Sequence, residues 1–226
     1  MWNFLHNHII SLMILFPLFS AFAILINPIH SKNFWLALLG ALGSLLGAIH
    51  LWIYFKTETI NLQFVEQYNW IQEFGFQYFV GIDGINILLV MLTSFLIPLV
   101  ILCLWTSTVK HKKNLLILIM TLEAGIIGTF VSFDILLFYA FWETILIPMY
   151  FMIGIWGGKN RIYATTKFFI YTALGSILML LSIIMLYLLH YSQHGFYSTN
   201  LLDLYHVTIF NTNAQLILFS TFAFAF

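Results

Sequence analysis

Glu123 and Glu143 stand in the middle of long apolar stretches, with no lysine or arginine inside either stretch. A carboxylate near the centre of a hydrocarbon layer costs roughly 2.5 to 3.5 kcal/mol on insertion scales, so such a residue is a functional candidate by default. Only the short segment Ser132 to Asp134 separates the two stretches. Counted from Phe133, each glutamate is ten residues away, or about 15 Å of helix. The spacing therefore predicts two carboxylates at one depth on antiparallel neighbours, where both cannot ionise cheaply. Proton uptake and release is the chemistry open to such groups. Pro148 lies five residues beyond Glu143. It has no N–H to give the carbonyl of Thr144, which predicts a bend one turn from the glutamate, and interrupted spans tend to mark ion paths. A proton carrier works best against a mobile cation, and no Lys or Arg lies within a complete stretch; Lys167 stands at the mouth of a later one, where it reads as snorkelling to the headgroups.

His190 and His194 share the four-residue spacing of some zinc sites, but Asp203 is the one acid near them and His206 lies further on, so no metal site is expected. Cys103 stands alone, which excludes an internal disulfide and a thiolate cage. Asp83 and Asp134 each precede an apolar run and read as helix caps. His50 reads as an interfacial group.

The elements that position these residues follow from composition. Of 226 residues 62% are apolar and 7% charged, with eight bases against eight acids. Soluble domains carry about 25% charged residues. Disorder requires the opposite balance, and nucleic-acid binding requires a basic surplus. The chain reads as an all-α polytopic membrane protein, a single membrane domain over residues 1–226. About 20 apolar residues cross a bilayer, and such stretches run from Ile9 to Ile26, Phe34 to Phe55, Ile85 to Trp105, Leu115 to Val131, Ile135 to Trp156 and Phe168 to Leu189. A seventh starts near Ala214 and is truncated at Phe226, which suggests a fragment of a longer protein. The first stretch lacks the basic leader of a secretory signal, since no base precedes Lys32. Gly40, Gly43, Ser44, Gly47 and Ala48 of the second stretch read as a close-packing surface.

The charges separate by side. Lys32, Lys110, Lys112, Lys113, Lys159, Arg161 and Lys167 fall in alternate loops, against Lys56 in the others. By the positive-inside rule this places the amino terminus on the outer side. Glu58, Glu66, Glu73, Asp83, Asp134 and Asp203 all fall in outward segments. The outer loop, residues 56–84, alternates at Ile60, Leu62 and Phe64 and again at Phe74, Phe76, Tyr78 and Val80, the period of a half-buried strand. It reads either as an outer-face β-hairpin or as an interfacial loop anchored by Tyr68, Trp70 and Tyr78.

The run Phe141-Trp142-Glu143-Thr144-Ile145-Leu146-Ile147-Pro148-Met149-Tyr150, continued from Gly154-Ile155-Trp156-Gly157-Gly158-Lys159-Asn160-Arg161 through Thr172, closely resembles the chain M and mitochondrial subunit 4 family of the proton-pumping NADH:quinone oxidoreductase, respiratory complex I. Gly81-Ile82-Asp83-Gly84-Ile85 is similar to that family too. The resemblance implies an antiporter-like fold of about fourteen helices in two inverted repeats, of which this chain would be the amino-terminal, incomplete part. It implies that Glu143 pairs with a lysine on the next-but-one span, and Phe222 to Phe226 resembles the stretch just before that lysine. Glu123 carries over less firmly, as a second proton relay. The implied activity is a membrane-arm translocase subunit, coupling quinone reduction to proton transport in the bacterial inner membrane, or alternatively the mitochondrial one. No cofactor is expected in this chain; NADH, flavin, iron-sulfur clusters and quinone would belong to partner subunits. A subunit of a multi-subunit sodium/proton antiporter is the nearest alternative, and a non-conducting assembly subunit is a third.

Overall fold

A computed structural model describes residues 6–59, 61–209 and 211–225, apart from the side chains of residues 30 and 31. Ile60 and Phe226, both used above, lie outside the described residues. Six helices are long and apolar enough to cross a membrane. They are α1 (Ile9–Ile26), α2 (His30–Tyr54), α3 (Asn86–Cys103), α4 (Lys112–Val131), α5 (Ile135–Trp156) and α6 (Arg161–His194). A one-turn α7 (Leu201–Leu204) and a shorter α8 (Thr212–Ala225) follow.

Helices apolar on all sides do not choose a buried face by amphipathicity, so close approach decides the packing. The glycines of α2 meet α1: a Cβ on Gly40 would lie 2.5 Å from the Cβ of Ser20, and one on Gly47 would lie 2.3 Å from the Cγ of Met13. Packing accounts for that small-residue surface, as expected. Gly125 and Gly128 do the same between α4 and α5, against Ile145 and Phe141. Helices α1 to α4 form one bundle with two apolar clusters. Ile10, Met13, Leu51, Ile82 and Val131 lie at its hairpin end, and Ile24, Phe34, Ile101, Leu116 and Met120 lie at the opposite, lysine end. Beyond the bundle, α5 packs on α4, α6 on α5 and α8 on α6.

The loop between α2 and α3 is the β-hairpin. Strands β1 (Gln63–Ile71) and β2 (Phe76–Ile82) pair antiparallel with Tyr68 opposite Tyr78. Glu73 and Phe74 sit in a 3-10 turn closed by Gly75, whose φ of 66° is left-handed. The simple alternation is corrected: two register shifts interrupt β1, and its buried residue is Glu66. The turn between α4 and α5 adds to this sheet. Phe133 donates its N–H to Phe79 O at 2.8 Å and accepts from Leu201 N at 2.8 Å, so one extended segment ties β2 to the start of α7.

The sixth span also differs from its expected bounds. Apolar length sets Phe168 to Leu189, but the helix runs 34 residues from Arg161 to His194. At about 1.5 Å per residue that is near 51 Å, well beyond a hydrocarbon core of about 30 Å. Lys167 therefore sits in an early turn of a helix, its ammonium 5.9 Å from the ring of Tyr163, and His190 and His194 lie in the last turns rather than in a loop.

Candidate functional site

Asp134 starts α5 as expected, its Oδ1 accepting from Leu136 N and Leu137 N at 3.0 Å each. Its other oxygen accepts from Gln77 N at 3.2 Å and from the Thr199 hydroxyl. Burial pushes its pKa above the ordinary carboxylate value, and the bonds from Thr199 and from these backbone amides oppose that. Asp83 and Asn86 cap α3 reciprocally, at 2.6 Å from Asn86 N to Asp83 Oδ1 and 2.8 Å from Asp83 N to Asn86 Oδ1. These caps fix where α3 and α5 begin, and hence the depth of Glu143.

Glu143 is half-buried on α5. The hydroxyl of Ser176 on α6 donates to its Oε1, and the Tyr139 hydroxyl, one turn earlier on α5, lies 3.2 Å from the same serine oxygen. A carboxyl group, a serine and a tyrosine thus form one polar string in an otherwise apolar layer, each member able to give and take a proton. Tyr139 was legible as an i−4 neighbour of Glu143; Ser176 carried no signal in the sequence, because its role depends on how α6 docks. Gly175 beside it packs on α8, where an added Cβ would be 3.1 Å from Ala225 O and 3.3 Å from Ala225 Cα.

Pro148 is buried within α5, which continues through it to Trp156. Pro17 and Pro98 occupy the interiors of α1 and α3 in the same way. An interior proline is thus shared by three of the spans and does not by itself single out Glu143.

Glu123 is completely buried on α4. Gly125 of α4 lies against Phe141 and Ile145 of α5, so the two glutamates do share a depth. They do not face each other. Glu123 belongs to the stripe Leu116, Met120, Ala124 and Ile127 that faces the α1–α3 side, whereas Glu143 faces α6. The Ser44 hydroxyl beside Glu123 donates to Met13 O at 3.2 Å, and neither carboxyl oxygen has a hydrogen-bond partner among the described residues. The two glutamates thus share the expected depth but occupy separate sites on opposite faces of the α4–α5 pair, so mutual repulsion does not link them.

Besides Asp134, one more acid of the outward segments is buried. Glu66 of β1 is 2% exposed and accepts from Ile10 N at 2.9 Å and Ser11 N at 3.1 Å, with the Ser11 hydroxyl on its second oxygen. It supplies the cap that α1 lacks locally, since His8 makes no side-chain cap bond. The rings of His190 and His194 stack at 4.5 Å, Asp203 is engaged by Ser198 at 2.6 Å, and among the described residues no group of three metal-ligating side chains occurs. His50 lies 3.0 Å from His6 near the hairpin end of α2.

Residues 132–226, which hold Glu143, its Ser176 partner and α8, match the family described as "NADH:quinone oxidoreductase/Mrp antiporter, TM". NADH-quinone oxidoreductase subunit M of Rickettsia conorii is 42% identical over 79% of this chain and 38% of its own length. NADH-ubiquinone oxidoreductase chain 4 of Marchantia polymorpha is 36% identical over 95% of this chain and 42% of its own length. In structure, a chain of respiratory complex I from Thermus thermophilus with bound NADH superposes with a TM-score of 0.77 and 25% identity, over 96% of this chain and 43% of that one. The fold is that of an antiporter-like membrane subunit. The chain belongs to the chain M and mitochondrial chain 4 family of NADH:quinone oxidoreductase, and it spans about two fifths of the length of the curated relatives it matches.

Proposed function

We propose that this chain contributes the Glu143 half of a proton-translocating unit in the membrane arm of an NADH:quinone oxidoreductase. The observation that carries this reading is the string Glu143, Ser176 and Tyr139 across the α5–α6 interface, within the segment that matches the antiporter-like family. The unit works electrostatically. Ionised Glu143 holds a partner lysine charged; when the two separate, the lysine gives up its proton. The resemblance puts that lysine shortly after Phe226. Residue Ala225 lies against Gly175, one position from the serine bonded to Glu143, so a helix continuing α8 would bring a cation to that level on the far side of α6. Glu123, enclosed in the α1–α4 bundle, serves as a second relay on a separate branch.

Redox chemistry takes place in partner subunits, which hold NADH, flavin, iron-sulfur clusters and quinone. The complex resides in an inner membrane, bacterial or mitochondrial, with the hairpin end of this chain outside. The same fold serves in Mrp-type sodium/proton antiporters, which is the second reading; quinone-reducing rather than antiporter subunits co-purifying with the full-length protein separates the two. Exchange of Glu143→Gln in the full-length protein, assembled in its complex, tests the mechanism. The expected result is loss of proton pumping with assembly retained, and normal pumping rules the mechanism out.

A further inference from the structure

Helix α8 is held by little apolar packing. Leu218 is its one buried side chain among the described residues, and Leu216, Ile217, Phe219 and Phe224 are each more than half exposed. An apolar cavity of about 170 Å³ lies beside Phe222, lined also by Phe138 of α5 and by Met179 and Ile183 of α6. In lipid an apolar side chain gains little by facing protein rather than acyl chains. Apolar contact alone therefore does not fix the height of such a helix along its neighbour.

Two contacts with α6 do fix it. Gly175 meets Ala225 in the close approach described above. Nearer the hairpin end, the Ser182 hydroxyl donates to the Thr221 hydroxyl oxygen at 2.5 Å. Ser182 is 2% exposed, and Leu178 O lies 3.0 Å from its hydroxyl as a second acceptor. Thr221 gives its own proton to α8, where Ile217 O lies at 2.8 Å and Leu218 O at 3.0 Å. The pair thus runs as one donor–acceptor chain from α6 into the backbone of α8. Among the described residues it is the only side-chain hydrogen bond between the two helices.

The same stretch of α6 also holds Glu143, through Ser176, six residues before Ser182. About 9 Å of helix separates the hydroxyl that touches the carboxyl group from the one that touches α8. We infer that the Ser182–Thr221 pair is a positioning contact: it holds α8 at one height along α6, and so sets the level at which the chain continuing from α8 meets the Glu143, Ser176 and Tyr139 string. This rests on the reading of Glu143 as half of a proton-translocating unit. Neither hydroxyl is bonded to Glu143 among the described residues, so both act through the placing of α8.

The test is acidification of sealed vesicles during NADH oxidation by the complex assembled with full-length protein, compared at equal complex content. Thr221→Val keeps the branched shape and removes the hydroxyl. The expected result is an assembled complex whose acidification per NADH oxidised falls about threefold or more, the size of one lost hydrogen bond, with Thr221→Ser restoring the parental value. Ser182→Ala is expected to cause the same fall. The Ser182→Ala, Thr221→Val double variant should lose no more than either alone, since both act through one bond. Ser220→Ala, whose hydroxyl bonds only carbonyls of α8, is expected to pump as the parent does. Should Thr221→Val fail to assemble, Ser182→Ala against Ser182→Thr carries the same comparison. Parental acidification in the hydroxyl-free variants, a loss of complex content with the ratio unchanged, additive losses in the double variant, or no rescue by Thr221→Ser overturns the inference. Glu143→Gln separates it from the reading beneath it. Lost pumping there with parental pumping in the hydroxyl-free variants overturns the positioning role alone, whereas normal pumping in Glu143→Gln overturns the unit itself.

Discussion

Among the described residues Glu143 has a hydrogen-bond partner and the carboxyl oxygens of Glu123 have none, and that contrast separates the two residues. The Ser176 hydroxyl donates to Glu143, and a hydrogen bond to a charged group contributes about 1.5 to 3 kcal/mol. Ser176→Ala is therefore expected to slow proton translocation by about tenfold or more while the complex still assembles, measured as proton uptake per electron transferred in sealed vesicles. Glu123 is enclosed beside the Ser44 hydroxyl, and among the described residues neither carboxyl oxygen is hydrogen-bonded, an arrangement that costs stability by about 1 to 3 kcal/mol. Glu123→Met is expected to raise the melting temperature of the detergent-solubilised protein, and a fall in melting temperature would show that the carboxyl group is held by bonds instead. Both glutamates stood out in the sequence because charge in an apolar run is rare. The direction each one faces did not, because rotation about a helix axis is set by neighbours such as Phe141 packing on Gly128.

At the scale of elements, buried carboxylates fasten the hairpin end. Glu66 joins β1 to α1, and Asp134 joins α5 to β2 and to Thr199. Because burial raises the Asp134 pKa, the folded state binds its proton more tightly than the unfolded chain does. Its ionised form thus opposes folding, and the opposition fades as pH falls from neutrality through the raised pKa to the ordinary value. Stability should rise over that interval in the parent protein, whereas an Asp134→Asn variant, which keeps the acceptor without the charge, should lack the Asp134 part of the rise. Asp134→Ala loses the cap as well and is expected to cost about 1 kcal/mol or more at neutral pH. Melting curves at several pH values check all three statements; a parent and Asn variant with parallel pH profiles would contradict the sign. The cap at Asp134 was legible because an acid followed by an apolar run has few other readings. Glu66 was hidden, since an acid in an alternating loop reads as a solvent-facing position, and only the docking of the hairpin on α1 buries it.

For the molecule as a whole, apolar length gave the six spans, and the largest error was at α6. Helical hydrogen bonding there continues from Arg161 to His194 beyond any hydrophobic boundary, so length in lipid and length of helix diverge. The charge sorting predicts sidedness directly. In a Cys103→Ser background, a cysteine placed at Glu73 in the hairpin turn should react with an impermeant maleimide from outside, and one placed at Lys159 should not; the reverse labelling would invert the topology. The order of packing, α4 on α5, α5 on α6 and α6 on α8, sets Glu143 in a row of helices outside the α1–α4 bundle, where a cation on a neighbouring span can approach and withdraw. Translocation through Glu143 is then the claim on which the account depends. Its most direct measurement is acidification of sealed vesicles, followed with a pH-sensitive dye during NADH oxidation, by the complex carrying full-length protein with Glu143→Gln. This complex is expected to assemble and to lose acidification. Acidification at the parental ratio of protons to electrons would contradict it.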